Sequence, residues 1–129
     1  MTTFIGRGPG TSPTTDFFPL SASLPSSPVI LITGTTAAAA NTIHTADAKA
    51  YDIPIIYVAN TATTSLVAYL QMGSTATTQS IAFLLATSSV TLVQPGTPIS
   101  GSGVVSIWAS ATSGVVAYGG VTRTYTASA

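Results

Sequence analysis

From Val29 onward, short runs of β-branched and other apolar residues are separated by clusters of Gly, Pro, Ser, Thr and Asn every eight to twelve residues or so. Runs of this length and spacing are typical of a β-sandwich or barrel, because each strand ends where turn residues let the chain reverse. We therefore predict eight strands. They are Val29–Thr33, Ala40–Thr45, Ile53–Asn60, Ser65–Met72, Ser80–Ala86, Val90–Val93, Val104–Ala111 and Val115–Thr124.

Two of the predicted strands show clear alternation, which places successive side chains on opposite faces of a sheet. In Val104–Ala111 the apolar set is Val105, Ile107, Ala109 and Ala111. In Ser65–Met72 one face carries Leu66, Ala68, Leu70 and Met72, and the other Val67, Tyr69 and Gln71. Because Val67 and Tyr69 are not polar, we expect both faces of that strand to be covered. The predicted fold class is all-β, an antiparallel β-sandwich of about eight strands.

The segment Thr36–Ala50 is the main competitor for a helix, since four consecutive alanines are good helix formers. Thr35, Thr36, Asn41, Thr42 and Thr45 oppose a helix, because they are β-branched or compete for backbone hydrogen bonds. We predict strand or loop here.

The first 28 residues hold five of the eight prolines and form a separate compositional unit. Proline cannot donate to a sheet ladder and biases the preceding residue toward extended backbone, so we predict an extended arm rather than a strand. A flexible tail has the same composition, but this one carries large apolar side chains. We expect the arm to dock, anchored by Phe4, Arg7, Phe17 and Phe18, with the β-sandwich domain occupying residues 29–129.

Charge is scarce, which excludes several classes of function. The 129 residues contain three basic and three acidic side chains and one His, or 5% charged, against about 25% in ordinary soluble domains. The sequence has no cluster of basic residues that could bind the phosphates of a nucleic acid. No apolar run approaches the roughly 18 residues of a spanning helix, and the start lacks the apolar core of a secretory signal peptide. With no Cys, disulfides and thiolate chemistry are also excluded.

Residues 53–122 contain no formally charged side chain. Soluble β proteins usually protect their edge strands with charge or proline, because unpaired backbone groups recruit neighbours. One explanation is a monomer with hydrated Thr/Ser faces and edges masked by loops. The other, which we favour, is that copies of the chain or a larger assembly cover much of the surface, so that charge is not needed for solubility.

Candidate chemistry is sparse. His44 is the only histidine, with Asp47 and Asp52 nearby, but there is no nucleophile elbow, and we expect a hydrogen-bonding residue on or beside a strand rather than a catalyst. The chain has neither a compact histidine cluster nor the aspartate spacing of a calcium loop, and nothing in the sequence singles out a pair of catalytic carboxylates. We therefore predict no catalytic residue, metal or cofactor. Aromatic residues could form a sugar platform, but at strand positions they more often belong to a core or subunit interface; we single out Tyr69, Trp108 and Tyr118.

Short motifs over roughly residues 38–125 resemble small virion structural proteins of tailed bacteriophages, of the head decoration or cement type. They are Ala40–Ala46, Ile56–Thr61 leading into Ser65–Gly73, and Pro95–Gly96 onward through Val104–Ala111 to Gly119–Arg123. The resemblance implies a jelly-roll-like sandwich displayed in many copies on a capsid, often as a trimer, and brings no catalytic residues. The sequence departs from the family after Gly73, where such proteins tend to carry acidic residues and residues 74–79 have none.

We therefore expect a non-enzymatic virion protein on the capsid surface, which binds the major capsid protein of the assembled head and stabilises it. Self-association is expected, as a homotrimer, with neither nucleic acid nor membrane as a partner. Two alternatives stay open at this point. One is a receptor- or glycan-binding jelly roll, and the other is a tail or fibre component of the virion.

Overall fold

The computed structural model describes residues 15–73, 80–111 and 114–125, and regular structure within them is almost entirely β. β-branched and aromatic residues, which suit a pleated half-buried surface, dominate the strands. The one helical element in this part of the chain is a single 3-10 turn at Ala37–Ala39. The nine strands of the described residues are β1 (Thr15–Pro19), β2 (Ile30–Leu31), β3 (Asn41–Thr45), β4 (Ala50–Asn60), β5 (Leu66–Met72), β6 (Ile81–Leu85), β7 (Ser89–Val93), β8 (Val104–Ala109) and β9 (Val115–Tyr125).

The strands form two antiparallel sheets. Sheet 1 has the order β1-β9-β4-β7, and the short strand β2 pairs with β9 on the same side as β1. Sheet 2 has the order β3-β8-β5-β6. Strands β4 and β9 are the central pair of sheet 1, and they pair along their full length from Ala50 opposite Tyr125 to Asn60 opposite Val115. Strands β1 and β2 divide the other side of β9, pairing with residues 120–124 and 116–117.

The hydrophobic core lies between the two sheets and is built from alternate residues of each strand, as the period of two requires. Strand β5 contributes Leu66, Ala68 and Leu70, and β8 contributes Val105, Ile107 and Ala109. Leu20, which follows β1, is also fully buried in this core. Strand β1 and Leu20 therefore belong to the sandwich.

Strand β4 accommodates Pro54 near its centre because the N–H that proline lacks would point to the side of β4 on which no strand pairs with residue 54. Asp52 exchanges backbone hydrogen bonds with Ile99, so its N–H points away from β9. Two residues on, Pro54 presents its nitrogen to the same side, and β7 pairs with β4 only from Ile56 onward. Proline here removes no ladder bond to β9.

Most sequence predictions of local structure are confirmed. Each of the eight predicted strands is present, and the two sheets confirm the antiparallel β-sandwich. The segment from Thr36 forms one 3-10 turn followed by β3, as the preference for strand or loop required. The alternation in β5 also holds, with Leu66, Ala68 and Leu70 inward.

The prediction that residues 1–28 form an arm rather than a strand is wrong for Thr15–Pro19. These residues are β1, which pairs with β9 from Thr15 opposite Thr124 to Pro19 opposite Gly120. The proline rule still holds in detail, because β1 is an edge strand and Pro19 is its last residue. Residues 1–14 lie outside the described part of the chain.

Candidate interaction surfaces and a buried polar cluster

The outward side of sheet 1 is an apolar surface. On β4 the inward residues Asp52, Pro54, Ile56 and Val58 alternate with outward ones, and the register carries the outward set across to the neighbouring strands. Seven of the twelve exposed large apolar residues in the described part of the chain lie on this side. They define the sheet-1 outer face: Phe17, Leu31, Tyr51, Ile53, Tyr57, Val90 and Leu92.

The register arranges these side chains in rows across the strands. One row runs from Phe17 through Thr122 to Ile53, and another runs from Tyr118 through Tyr57 to Leu92. The Tyr57 and Tyr118 rings are stacked, with centroids 5.3 Å apart and planes 13° from parallel. Directly opposed pairs of this kind are the units that stabilise a sheet, and here they also make its outer surface continuous.

Gly120 allows the Phe17 ring to lie over the backbone of β9 on this face. A Cβ at Gly120 would overlap both the Phe17 ring and the Phe18 carbonyl oxygen. The ring of Phe17 therefore occupies the space that a side chain at position 120 would fill, while 64% of Phe17 stays exposed. Phe17 extends the apolar surface to the β1 edge of the sheet.

No charged side chain occupies an outward position of β4, β7 or β9. The charged residues of β4 and β9, Asp52 and Arg123, sit directly opposite each other and point inward. The exposed Lys49 and the half-buried Asp47 lie in the connection between β3 and β4, and Asp16 of β1 lies opposite Arg123. The charges of the described residues therefore lie at the end of the molecule where β4 begins and β9 ends.

The outer face of sheet 2 has a different structure. Tyr69 and Trp108 are opposite each other and stacked, with ring centroids 3.8 Å apart. Trp108 is only 9% exposed, so the pair does not present an open aromatic platform. Next to it lies Gln71, fully buried, and neither its amide group nor the Trp108 indole N–H has a hydrogen-bond partner.

The three aromatic residues predicted for an interface of the domain thus lie on two faces. Tyr69 and Trp108 share the outer face of sheet 2, whereas Tyr118 stacks on Tyr57 on the opposite side of the sandwich. Of the predicted arm anchors, Phe17 lies on the sheet-1 outer face and Phe18 packs partly against the core. Phe4 and Arg7 lie outside the described residues.

A buried polar cluster lies between the sheets at the charged end. His44 of β3, Asp52 of β4 and Arg123 of β9 meet there, and the first two are fully buried. Asp52 Oδ2 is 2.7 Å from His44 Nε2. Arg123 donates from Nε to Asp52 Oδ1 at 2.7 Å and from its second terminal nitrogen to Oδ2 at 2.9 Å, a bidentate pair.

The hydrogen bonds assign the tautomer of His44. The backbone N–H of Ser21 donates to Nδ1 at 3.1 Å, so Nδ1 carries no proton and Nε2–H donates to Asp52. Both ring nitrogens are engaged, which leaves His44 without a free nitrogen to act as a general base. This confirms the prediction of a hydrogen-bonding histidine on a strand.

The cluster also ties the N-terminal segment to the sandwich. Ser21, three residues after Phe18, is held by His44 through the bond to Nδ1. The Arg123 guanidinium lies 4.6 Å from the centre of the Phe18 ring, a cation–π contact. The Phe18 ring also meets Tyr125 edge-on at 6.5 Å. Both sheets and the segment around β1 are therefore joined at one point.

The electrostatics of the cluster favour the charged pair. Burial raises the pKa of Asp52, but the hydrogen bonds from Arg123 and His44 and the charge of Arg123 outweigh it, so this pKa lies below its usual 3.8. The hydrogen bond from Asp52 raises the pKa of Arg123 despite its burial. Asp52 is thus a carboxylate inside the sandwich at neutral pH.

Sequence reasoning identified neither the cluster nor most of the sheet-1 outer face. Asp52 and Arg123 are 71 residues apart, and only the pairing of β4 with β9 reveals that they are opposite each other. For the face, one signal was available: β4 is apolar at Ile53, Ile55 and Tyr57 as well as at its inward positions, a pattern typical of strands covered on both sides.

Within the described residues, no group of three or more His, Asp or Glu side chains is placed to hold a metal ion, and no helix is long and apolar enough to cross a membrane. Comparison of the chain with protein-family models, with curated proteins and with solved structures finds no match. Function is therefore inferred from the surfaces and the buried cluster.

Proposed function

We propose that this chain is a non-enzymatic virion structural protein, a capsid decoration or cement protein that binds the assembled phage head in many copies and stabilises it. The observation that carries the proposal is the uncharged, apolar sheet-1 outer face. A monomeric soluble protein rarely exposes so large a contiguous apolar patch, and such patches mark interaction sites. In a decoration protein packed on a capsid, neighbouring molecules would cover this face.

The strand order supports the same proposal. If β1 and β2 together count as the first strand, sheet 1 has the order 1-8-3-6 and sheet 2 the order 2-7-4-5. We infer from this order a jelly roll, two interleaved Greek keys in two sheets, a fold used by viral capsid and lectin domains. Because fold alone does not fix function, this point adds to the surface argument and does not replace it.

Stabilisation would act by mass action. A protein that binds the closed shell and not its broken states raises the shell's stability by the difference in binding free energy. Association into a homotrimer would multiply weak contacts with the major capsid protein into slow dissociation. The cluster around Asp52 contributes by holding the segment around β1 on the sandwich.

The proposal is tested by the number and location of copies in purified particles. Immunogold labelling and quantitative mass spectrometry are expected to find the chain on the head, in numbers comparable with the major capsid protein. A few copies, confined to the tail, would instead establish the tail or fibre alternative and overturn the decoration role.

A reconstitution experiment tests the stabilising role. Particles lacking the protein are expected to lose their genome at a lower temperature, and added wild-type protein is expected to restore the wild-type release temperature. Deletion of residues 2–14 retains β1, Phe18 and Leu20, circular dichroism shows whether the variant folds, and we expect the folded variant to decorate poorly. Full decoration by the deletion variant would show that the segment is not a contact.

A glycan-binding role has less support, because the rings of Tyr69 and Trp108 stack on each other and Trp108 is nearly buried. A glycan array is expected to give no binding. A specific hit that is lost in Trp108→Ala, with the fold intact, would favour the lectin alternative.

A further inference from the structure

We propose that the sheet-1 outer face is a self-association surface and that another copy of this chain covers it. The inference deepens the proposed function by assigning a partner to this face, but it concerns the purified chain and can fail or succeed independently of the particle. Its basis is the size of the face, its lack of charge and the kind of side chains it carries.

The size of the face is that of a specific interface. Strands β4 and β9 are 11 residues long, β1 and β7 are five residues each and β2 is two. At a rise of about 3.3 Å per residue and a strand spacing of about 4.8 Å, these strands cover roughly 540 Å² per copy. Two copies would together bury roughly 1,100 Å², which clears the ~1,000 Å² expected of a specific interface, and the face lies at the upper end of the ~300–600 Å² of the largest patch on a typical monomer.

The absence of charge selects among partners. A nucleic acid, an anionic membrane or an acidic peptide would need a cation on this face, and the outward positions of β4, β7 and β9 offer none. A second copy needs no counter-charge, and with a formal net charge of zero at pH 7 the chain builds up no repulsion as copies join. Of these partners, a second copy of the chain is therefore the one that an uncharged face favours.

The side chains are those of interface centres. Tyr51, Tyr57 and Tyr118 supply large rings with a polar tip, a residue type enriched in interface cores. Tyr57 and Tyr118 are already stacked, and direct cross-strand neighbours flank Tyr57 on both sides, so little side-chain freedom remains to be lost on association. The face is a rigid, preformed surface.

Light scattering of the purified full-length chain tests the proposal. At micromolar concentration we expect wild type to have two or three times the 12.9 kDa mass of one chain. The double variant Tyr57→Lys/Leu92→Lys, which places two like charges on the sheet-1 outer face, is expected to have the mass of one chain. The matched control is Leu84→Lys on the outer side of sheet 2, where Leu84 is 64% exposed; it is expected to keep the wild-type mass.

Circular dichroism and Trp108 emission show whether each variant is folded, and the single variant Leu92→Lys, on the edge strand β7, provides a milder substitution. A monomeric wild-type chain would overturn the proposal. So would a folded double variant that keeps the oligomer, or an oligomer that only Leu84→Lys dissolves. In each case the particle experiments above still decide separately whether the chain decorates heads, through a face that then contacts the capsid protein.

Discussion

The buried cluster at Asp52 and the sheet-1 outer face reverse the usual distribution of polarity in a soluble domain. The cluster places a carboxylate, a guanidinium and an imidazole between the sheets, whereas the outer face exposes seven large apolar side chains and no charge. Ordinarily ions keep a surface hydrated and apolar residues fill the interior. In this protein the ion pair fixes the N-terminal segment to the sandwich, and the exposed apolar surface is left for other molecules.

The comparison predicts that the two regions respond to mutation in different measurements. Changes in the cluster are expected to lower the free energy of unfolding and leave the association of any folded molecule unchanged. Changes to the exposed side chains of the outer face are expected to alter association and leave the folding of the single chain nearly unchanged.

The largest effect is expected for Asp52→Asn. This substitution leaves Arg123 without its carboxylate partner, and breaking a buried ion pair costs roughly 3–5 kcal/mol. Urea unfolding followed by Trp108 emission measures the loss. The control, Lys49→Ala at an exposed position, is expected to stay within about 0.5 kcal/mol of wild type. A loss below 1 kcal/mol or so for Asp52→Asn would show that the cluster is not a structural brace.

A smaller loss, about 1–3 kcal/mol as for other overpacked sites, is expected for Gly120→Ala. The new methyl group would meet the Phe17 ring and the Phe18 carbonyl oxygen. The ring can rotate away, but the backbone oxygen cannot without moving β1. Combining the change with Phe17→Ala is therefore expected to recover only part of the loss. Complete recovery would mean that the ring alone sets the limit and that β1 shifts easily.

Acidification tests the same cluster without mutation. The folded-state pKa of Asp52 lies below its unfolded value of about 3.8, so its ionised form stabilises the fold fully above that value. This contribution is lost as the pH falls below 3.8 and through the depressed folded pKa. We expect the free energy of unfolding to fall over that range in wild type, and more shallowly in Asp52→Asn. Parallel pH profiles for the two proteins would contradict the depressed pKa.

The smallest change in unfolding free energy is expected for Leu92→Ser. Leu92 is 48% exposed on the edge strand β7, and surface substitutions away from special features usually stay within about 0.5 kcal/mol. Its association, followed by sedimentation velocity over a dilution series, is expected to weaken. A large loss of stability at concentrations where the chain is monomeric would place Leu92 among the structural residues instead.

Local patterns predicted much of the fold because strands leave a short-range signature. The alternation around Leu70 and Ile107 identified core strands, and turn residues such as Gly73 and Gly114 marked their ends. Strand β1 was missed because Pro13 and Pro19 flank a run of only five residues, and local composition does not show that an edge of β9 is free to receive it.

The site was less predictable, because its residues are brought together by long-range pairing. His44 was recognised as a hydrogen-bonding residue, but its partners Asp52, Arg123 and Ser21 follow from the registers of both sheets. Similarly, Tyr57 and Leu92 become neighbours only once β4 pairs with β7. The absence of charge over residues 53–122 indicated that some surface is covered, and the topology was needed to say which one.

The most direct test of the central claim is the chemical accessibility of the sheet-1 outer face. The chain has no native cysteine, so Leu92→Cys and Leu84→Cys each introduce a single thiol, one on each side of the sandwich. We expect maleimide to label Leu92→Cys more slowly as protein concentration rises, and more slowly still on decorated heads, while Leu84→Cys in solution reacts at a constant rate. Equal, concentration-independent labelling of both thiols, in solution and on particles, would contradict the claim that this face is covered.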